Sequence, residues 1–186
     1  MIDMLYILLL VEWVLLLYVL TLWGEFVFDD LLILENVRRV WRQRTEMGWR
    51  DFLRWMARNG RALLWWTFRR DALAHGMAHP CGWHALNIAL HAINSVLMFA
   101  ILRWWFSEHV AFVGALVFAS HPIATASVSN VAGRSSVLCS VFVLGAIVAF
   151  FCGAWWLIPL LAFCGLRSKE EIVSVVPSLV AVWWWQ

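Results

Sequence analysis

The chain has 186 residues, of which 63% are hydrophobic, 14% charged and 15 tryptophan, with a formal net charge of +2 and a mean hydropathy of +0.78. Soluble chains are roughly 45–50% apolar and 25% charged, so this composition reads as an integral membrane protein. It excludes a disordered chain, a basic domain that binds nucleic acid and a disulfide-stapled secreted scaffold.

Met4 to Trp23 is the first spanning run, about the 20 residues that a hydrocarbon core requires. It carries Asp3 where a signal peptide has a basic n-region, so it reads as a retained membrane helix. Glu12 falls mid-span, where a carboxyl facing lipid costs roughly 3 kcal/mol. A pair inside the bundle and a proton relay are its two readings. After Gly24 the composition shifts: ten arginines lie between Arg38 and Asp71 against Glu46, Asp51 and Asp71. Trp49, Phe52, Leu53, Trp55 and Met56 recur at helical spacing, with Arg50, Arg54, Arg58 and Arg61 every three or four residues. That is the pattern of an amphipathic helix lying on a membrane surface. A second short helix is expected from Arg61 to His75, ending near Gly76, with a turn at Pro80 and Gly82. The whole of 31–75 is then an interfacial segment between spans one and two.

Trp83 to Phe106 is the second span. His109 to about Ala124 is a third, closing at His121-Pro122, and Ser127 to Ala154 a fourth. Trp155 to Leu166 is at the lower limit for crossing, and Ile172 to Trp185, with Pro177 inside it, is shorter than a full span. The expected fold is all-α, a polytopic membrane helical bundle of about five to six membrane segments, forming one domain over 1–186. Trp65-Trp66, Trp104-Trp105, Trp155-Trp156 and Trp183-Trp184-Trp185 punctuate the runs. They read as an aromatic belt at the interfaces, with carbohydrate stacking as the other reading. Ala111, Ala115 and Ala119, and Gly145, Ala149 and Gly153, place small residues at four-residue spacing, which lets helices approach closely in lipid. Cys81, Cys139, Cys152 and Cys164 form no CxxC pair and read as small hydrophobes, not a metal or redox site.

Counting crossings brings the polar minority together. Asp29 and Asp30 follow span one, His121, Asn130 and Arg134 surround the turn after span three, and Lys169 and Glu170 follow span five. Odd-numbered spans end on one side, so these residues are expected on one face, with Arg134 about a turn inside span four. Charged groups at membrane depth face the bundle or a water-filled cavity. In span two, His84, Asn87, His91 and Asn94 step by three, four and three, which puts them on one helical stripe. Such a stripe is either hydrogen-bonding glue between helices or the lining of a substrate cavity. His84 and His91 lie about 10 Å apart along a helix, too far to share one metal ion unaided. Asp29-Asp30 either caps the helix starting at Leu31, or holds a divalent cation or supplies a general base.

These residues also fall in short motifs. Phe26-Val27-Phe28-Asp29-Asp30 is followed by Asn36, and Arg61-Ala62-Leu63 runs through to Thr67-Phe68-Arg69. Gly82-Trp83-His84-Ala85-Leu86-Asn87 is followed by His91, His121-Pro122 by Asn130 and Gly133-Arg134, and Ser168-Lys169-Glu170 closes the series. Their order over nearly the whole chain resembles the membrane part of the transmembrane and tetratricopeptide-repeat (TMTC-like) O-mannosyltransferases, of the GT-C class. The resemblance implies a polyprenyl-phosphate sugar as donor and a lumenal or periplasmic catalytic face carrying Asp29, Arg134 and Lys169. It implies a catalytic role for Asp29 or Asp30, with Asp29 the better placed as base. Arg134 and Lys169 are then candidates for the donor phosphate, because fixed cations stabilise a departing phosphate. His121 and Glu170 would position groups around them, with His84, Asn87 and His91 in support.

The chain departs from that family in two ways. It stops at Gln186, short of the further helices and the repeats, and Ala62 stands where the family has proline. Two functions are then open: a GT-C-like glycosyltransferase module or its truncated remnant, or a non-catalytic subunit of a larger membrane complex. Membrane lipid is an expected partner of either, and other membrane subunits of the second.

Overall fold

The computed structural model describes residues 2–41, 50, 51, 54, 58 and 60–185. The amphipathic helix expected around Trp49, Phe52, Leu53, Trp55 and Met56 lies outside the described residues. The order is α1 (Ile2–Tyr18) with a 3-10 turn (Val19–Trp23), α2 (Asp29–Trp41), α3 (Ala62–His75), α4 (Cys81–Leu102) and α5 (Glu108–Ser120). Then come α6 (Pro122–Ser129), α7 (Arg134–Phe151), α8 (Leu157–Leu166), a second 3-10 turn (Glu170–Ser174) and α9 (Val175–Trp185). No strand occurs among the described residues.

Three segments are long and apolar enough to cross a membrane: Asp3–Trp23, Cys81–Leu102 and Arg134–Phe151. The pair α5 and α6 makes a fourth if it is one span bent by 56°. The protein is an all-α membrane bundle with three to four candidate spans. The ten residues of α8 extend about 15 Å, half of a hydrocarbon core of about 30 Å.

The central helix is α4, packed against α1, α5 and α7. Ala111, Ala115 and Ala119 of α5 are fully buried, and Leu10, Val14 and Tyr18 of α1 pack into the same clusters. The small-residue face seen in the sequence thus brings α5 against α1. At one end of the bundle Arg103 Nε donates to Asp3 Oδ1 at 3.1 Å, Tyr6 hydrogen-bonds His109, and Phe151 packs against Trp104 and Trp105.

The break between α5 and α6 arises at His121-Pro122. His121 is extended (φ −64°, ψ 130°), its ring Nδ1 accepts from Ile123 N at 3.2 Å, and Pro122 takes the first helical position. Proline starts a helix well there because the missing N–H would be unpaired anyway. The fourth span therefore begins at Arg134 instead of Ser127, and Ser127 to Ser129 end α6. The turn between them needs Gly133: a Cβ there would lie 2.3 Å from the Ser127 carbonyl oxygen. Arg134 is accordingly the first residue of α7 and not a turn inside it. In the last helix Pro177 is the third residue of α9, where it interrupts no bond within the helix.

Candidate functional site

The other end of the bundle gathers α2, α3, the N-termini of α4 and α7, the α5–α6 break and the chain after α8. Its centre is Arg134, whose side chain is fully buried. Nε donates to Asn87 Oδ1 at 2.9 Å, Nη1 to Thr67 Oγ1 at 3.3 Å and Nη2 to the Trp83 carbonyl at 2.8 Å. Nη1 also lies 2.6 Å from Asp71 Oδ2. The guanidinium stands over the Phe68 ring, 4.7 Å from its centroid. One side chain thus joins α3, α4 and α7. Burial pushes the Asp71 carboxyl above its ordinary value, while the coulombic pull of Arg134 opposes that.

Asn87 completes the connection. Its Nδ2 donates to the carbonyls of Asn130 at 2.7 Å and Val128 at 3.3 Å. Further along the same stripe His91 Nε2 donates to the Ala119 carbonyl at 3.1 Å, and Asn94 Nδ2 to that of Val137 at 2.9 Å. His84 is buried and stacks on Phe26 with centroids 6.4 Å apart. All four stripe residues face protein. His91 and Asn94 also line a hollow of about 200 Å³ with Ser127, Ser136 and Ser140. A neighbouring hollow of about 170 Å³ shares Ser136 and Ser140 with it. The stripe is thus both interhelical glue and part of a cavity wall.

The two aspartates have separate environments. Asp30 is buried; its Oδ1 accepts from Ala132 N at 2.7 Å and its Oδ2 from Val27 N at 3.3 Å. It holds the start of α2 against the turn before Arg134. Asp29, the first residue of α2, is exposed. Among the described residues no three His, Cys, Asp or Glu side chains gather as a metal site. The backbone amides on Asp30 leave the aspartate pair a poor fit for a divalent cation shared between both carboxylates.

Ser168 to Glu170 reaches the same end from the other side of the bundle. The Arg167 carbonyl accepts from Leu63 N at 3.0 Å and Leu64 N at 3.3 Å, so it caps α3, whose first amides have no partner within the helix. Arg61 grips Glu170 with two donors, Nε to Oε1 at 3.1 Å and Nη2 to Oε2 at 2.6 Å. That bidentate pair holds the Glu170 carboxyl below its ordinary value and raises the Arg61 guanidinium. Lys169 Nζ donates to Ser136 Oγ at 2.8 Å and pairs with Glu171 at 2.6 Å, with part of its side chain exposed. His121 is exposed on the α5–α6 break.

Of the residues singled out in the sequence, Asp30, Asn87 and Arg134 fall in one hydrogen-bonded region. Lys169 and Glu170 dock on it through α7 and α3, and Asp29 and His121 lie at its surface. The motifs alone did not single out Asp71 and Thr67 as a pair. Their i, i+4 spacing continues the stripe of Leu64 and Phe68, which marks one face of α3.

Human protein O-mannosyl-transferase TMTC4 is 34% identical over 146 residues, covering 65% of this chain. Human protein O-mannosyl-transferase TMTC1 is 38% identical over 137 residues and 67% of the chain. Human protein O-mannosyl-transferase TMTC2 is 27% identical over 183 residues and 86% of the chain. The chain is related to the TMTC protein O-mannosyl-transferases. The matches cover 19%, 15% and 22% of those three relatives, so the chain spans under a quarter of each TMTC protein. No family model and no solved structure matches it.

Proposed function

We propose that this chain is a GT-C-like glycosyltransferase module that uses a polyprenyl-phosphate sugar, with mannose the sugar by relation to the TMTC proteins. The observation that carries this reading is the joining of all five sequence motifs at one end of the bundle. Asp30 ties the first to the fourth, Arg134 the second to the third and fourth, and Arg61 with the Arg167 carbonyl the second to the fifth. A framework of that kind holds a surface group in place, and Asp29 is the exposed carboxylate at its edge. In this reading α8 and α9 are the fifth and sixth membrane segments, and the Asp29 end faces the lumen or periplasm.

Asp29 takes the proton of an acceptor hydroxyl as that oxygen bonds the anomeric carbon. The bond from that carbon to the donor phosphate oxygen breaks, and the polyprenyl phosphate leaves with the electron pair. Lys169, partly exposed beside the two hollows, neutralises the phosphate. Enclosed as it is, Arg134 positions α3, α4 and α7, and Asp30 positions α2. The test is mannosyl transfer from a polyprenyl-phosphate mannose to a Ser/Thr peptide by the purified chain. Asp29→Asn is expected to lower the rate by about 10²–10⁴-fold, the range for losing a general base.

One observation favours the second reading, a non-catalytic membrane subunit. Asp30 and Arg134 are wholly engaged inside the chain, so the motifs can persist for folding alone. No transfer by the wild-type chain supports that reading, whereas equal transfer by wild type and Asp29→Asn keeps the module catalytic and removes Asp29 from the chemistry.

A further inference from the structure

A hollow of about 420 Å³ lies at the end of the bundle opposite the site. Val96, Phe99 and Ala100 of α4 form its floor, and Ile7 of α1 and Val148 of α7 form its sides. Both side helices pack on α4, so the hollow is a slot between them. From Arg103 at its mouth to Val96 it runs about 10 Å along the helix axis. Trp104 and Trp155 are exposed at the same end, as tryptophans at a membrane–water interface are. The slot therefore descends from headgroup level into the acyl region, with an apolar wall throughout its depth.

The mouth is polar and carries both signs of charge. Asp3, Arg103 and Trp104 line it. Arg103 Nε donates to Asp3 Oδ1 at 3.1 Å and Nη1 to the Phe106 carbonyl at 3.0 Å. Among the described residues Arg103 Nη2 and Asp3 Oδ2 have no partner, and the two side chains are 34% and 57% exposed. One cation and one anion thus stand side by side above an apolar slot, each with an atom to spare. Guanidinium donors suit a phosphate, and a carboxylate accepts from an ammonium. The pair has no net charge, and Glu108 at the start of α5 adds a carboxylate to this end. That balance disfavours a lipid of net negative charge.

We propose that this slot binds a zwitterionic phospholipid with a primary ammonium, the headgroup chemistry of phosphatidylethanolamine. An acyl chain fills the slot, the phosphate accepts from Arg103 Nη2, and the ammonium donates to Asp3 Oδ2. The site stands apart from any sugar transfer, since it lies at the other end of the bundle.

Cys152 provides the readout, because it lines the slot and is exposed, while Cys81 is exposed at the far end. The experiment follows alkylation of each thiol by mass spectrometry, on the full-length chain in maltoside micelles. Phosphatidylethanolamine, phosphatidylglycerol or inorganic phosphate is added. Phosphatidylethanolamine is expected to slow Cys152 and leave Cys81 unchanged, with phosphatidylglycerol weaker and inorganic phosphate without effect. Arg103→Gln should raise the phosphatidylethanolamine concentration needed by about tenfold, the size of one charge-assisted hydrogen bond. Asp3→Asn should remove the preference over phosphatidylglycerol, because Arg103 then lacks its counter-charge. Ala100→Trp, at an exposed position of the wall, should fill the slot and abolish the lipid dependence, with helical content by circular dichroism unchanged. No slowing at Cys152, equal slowing at Cys81, or slowing by inorganic phosphate alone overturns the proposal. So does equal slowing of wild type by the two lipids, or full slowing in a folded Ala100→Trp.

Discussion

Arg134 shows what one charged residue does at the edge of a membrane bundle. The guanidinium fork donates in several directions at once, and here it meets an aspartate, an asparagine, a threonine and a backbone carbonyl from two other helices. Removing one partner of a buried ion pair leaves the other charge without compensation. Arg134→Ala is therefore expected to destabilise the protein by about 3–5 kcal/mol, read as a fall in the thermal midpoint in detergent. Combining Asp71→Ala with it should cost less than the sum of the two single changes, because both remove the same interaction. Additive losses would mean that the pair is not coupled. Hydropathy required Arg134 to face protein but did not say what it would face. Position in a motif marks a residue as special; only the packing of α3 on α4 and α7 decides between holding the fold and holding a ligand. For Asp29 and Asp30 the same limit applies. Neighbours in sequence differ by a turn of about 100° on a helix, enough to bury one and expose the other.

At the scale of elements, the membrane runs were legible because apolar length is set by the bilayer and small-residue spacing by close packing. Trp83, for example, lies inside α4 as expected, and Ala111, Ala115 and Ala119 form a buried face. The α6–α7 boundary was not legible: Ser127 to Ser129 belong to the same run of small and apolar residues as Val131 and Ala132, and the break depends on a backbone approach at Gly133. Nor could hydropathy show that the stretch after α8 caps α3. The Arg61–Glu170 pair gives that junction a pH signature. Glu170 is held below its ordinary value, so its contribution is full above the unfolded carboxylate value and fades as pH falls through the lower, folded one. Glu170→Gln should therefore melt below wild type at neutral pH, and the difference should shrink as pH falls below the usual carboxylate range. A difference that persists unchanged in acid would show that the pair is not its source.

For the whole molecule, two native thiols report orientation. Cys81 opens α4 at the Asp29 end, Cys152 comes directly after α7 at the opposite end, and both are exposed. With the site end lumenal or periplasmic, a membrane-impermeant thiol reagent applied to that side should label Cys81 and spare Cys152. The reverse pattern would place the arginine-rich segment in the cytoplasm, where positive charges near short loops usually lie.

The capping of α3 by the Arg167 carbonyl has a consequence for how the protein is made. Leu63 and Leu64 leave the ribosome well before their partner, which emerges about a hundred residues later, as Glu170 comes after Arg61 by 109. At roughly 5–20 residues per second the wait is about 5–20 s. During that time the first amides of α3 have no partner within the helix. The helix α3, which frames the site end, is thus synthesised well before its start is secured. A translation pause before Arg167 would prolong its exposure without touching the spans already inserted.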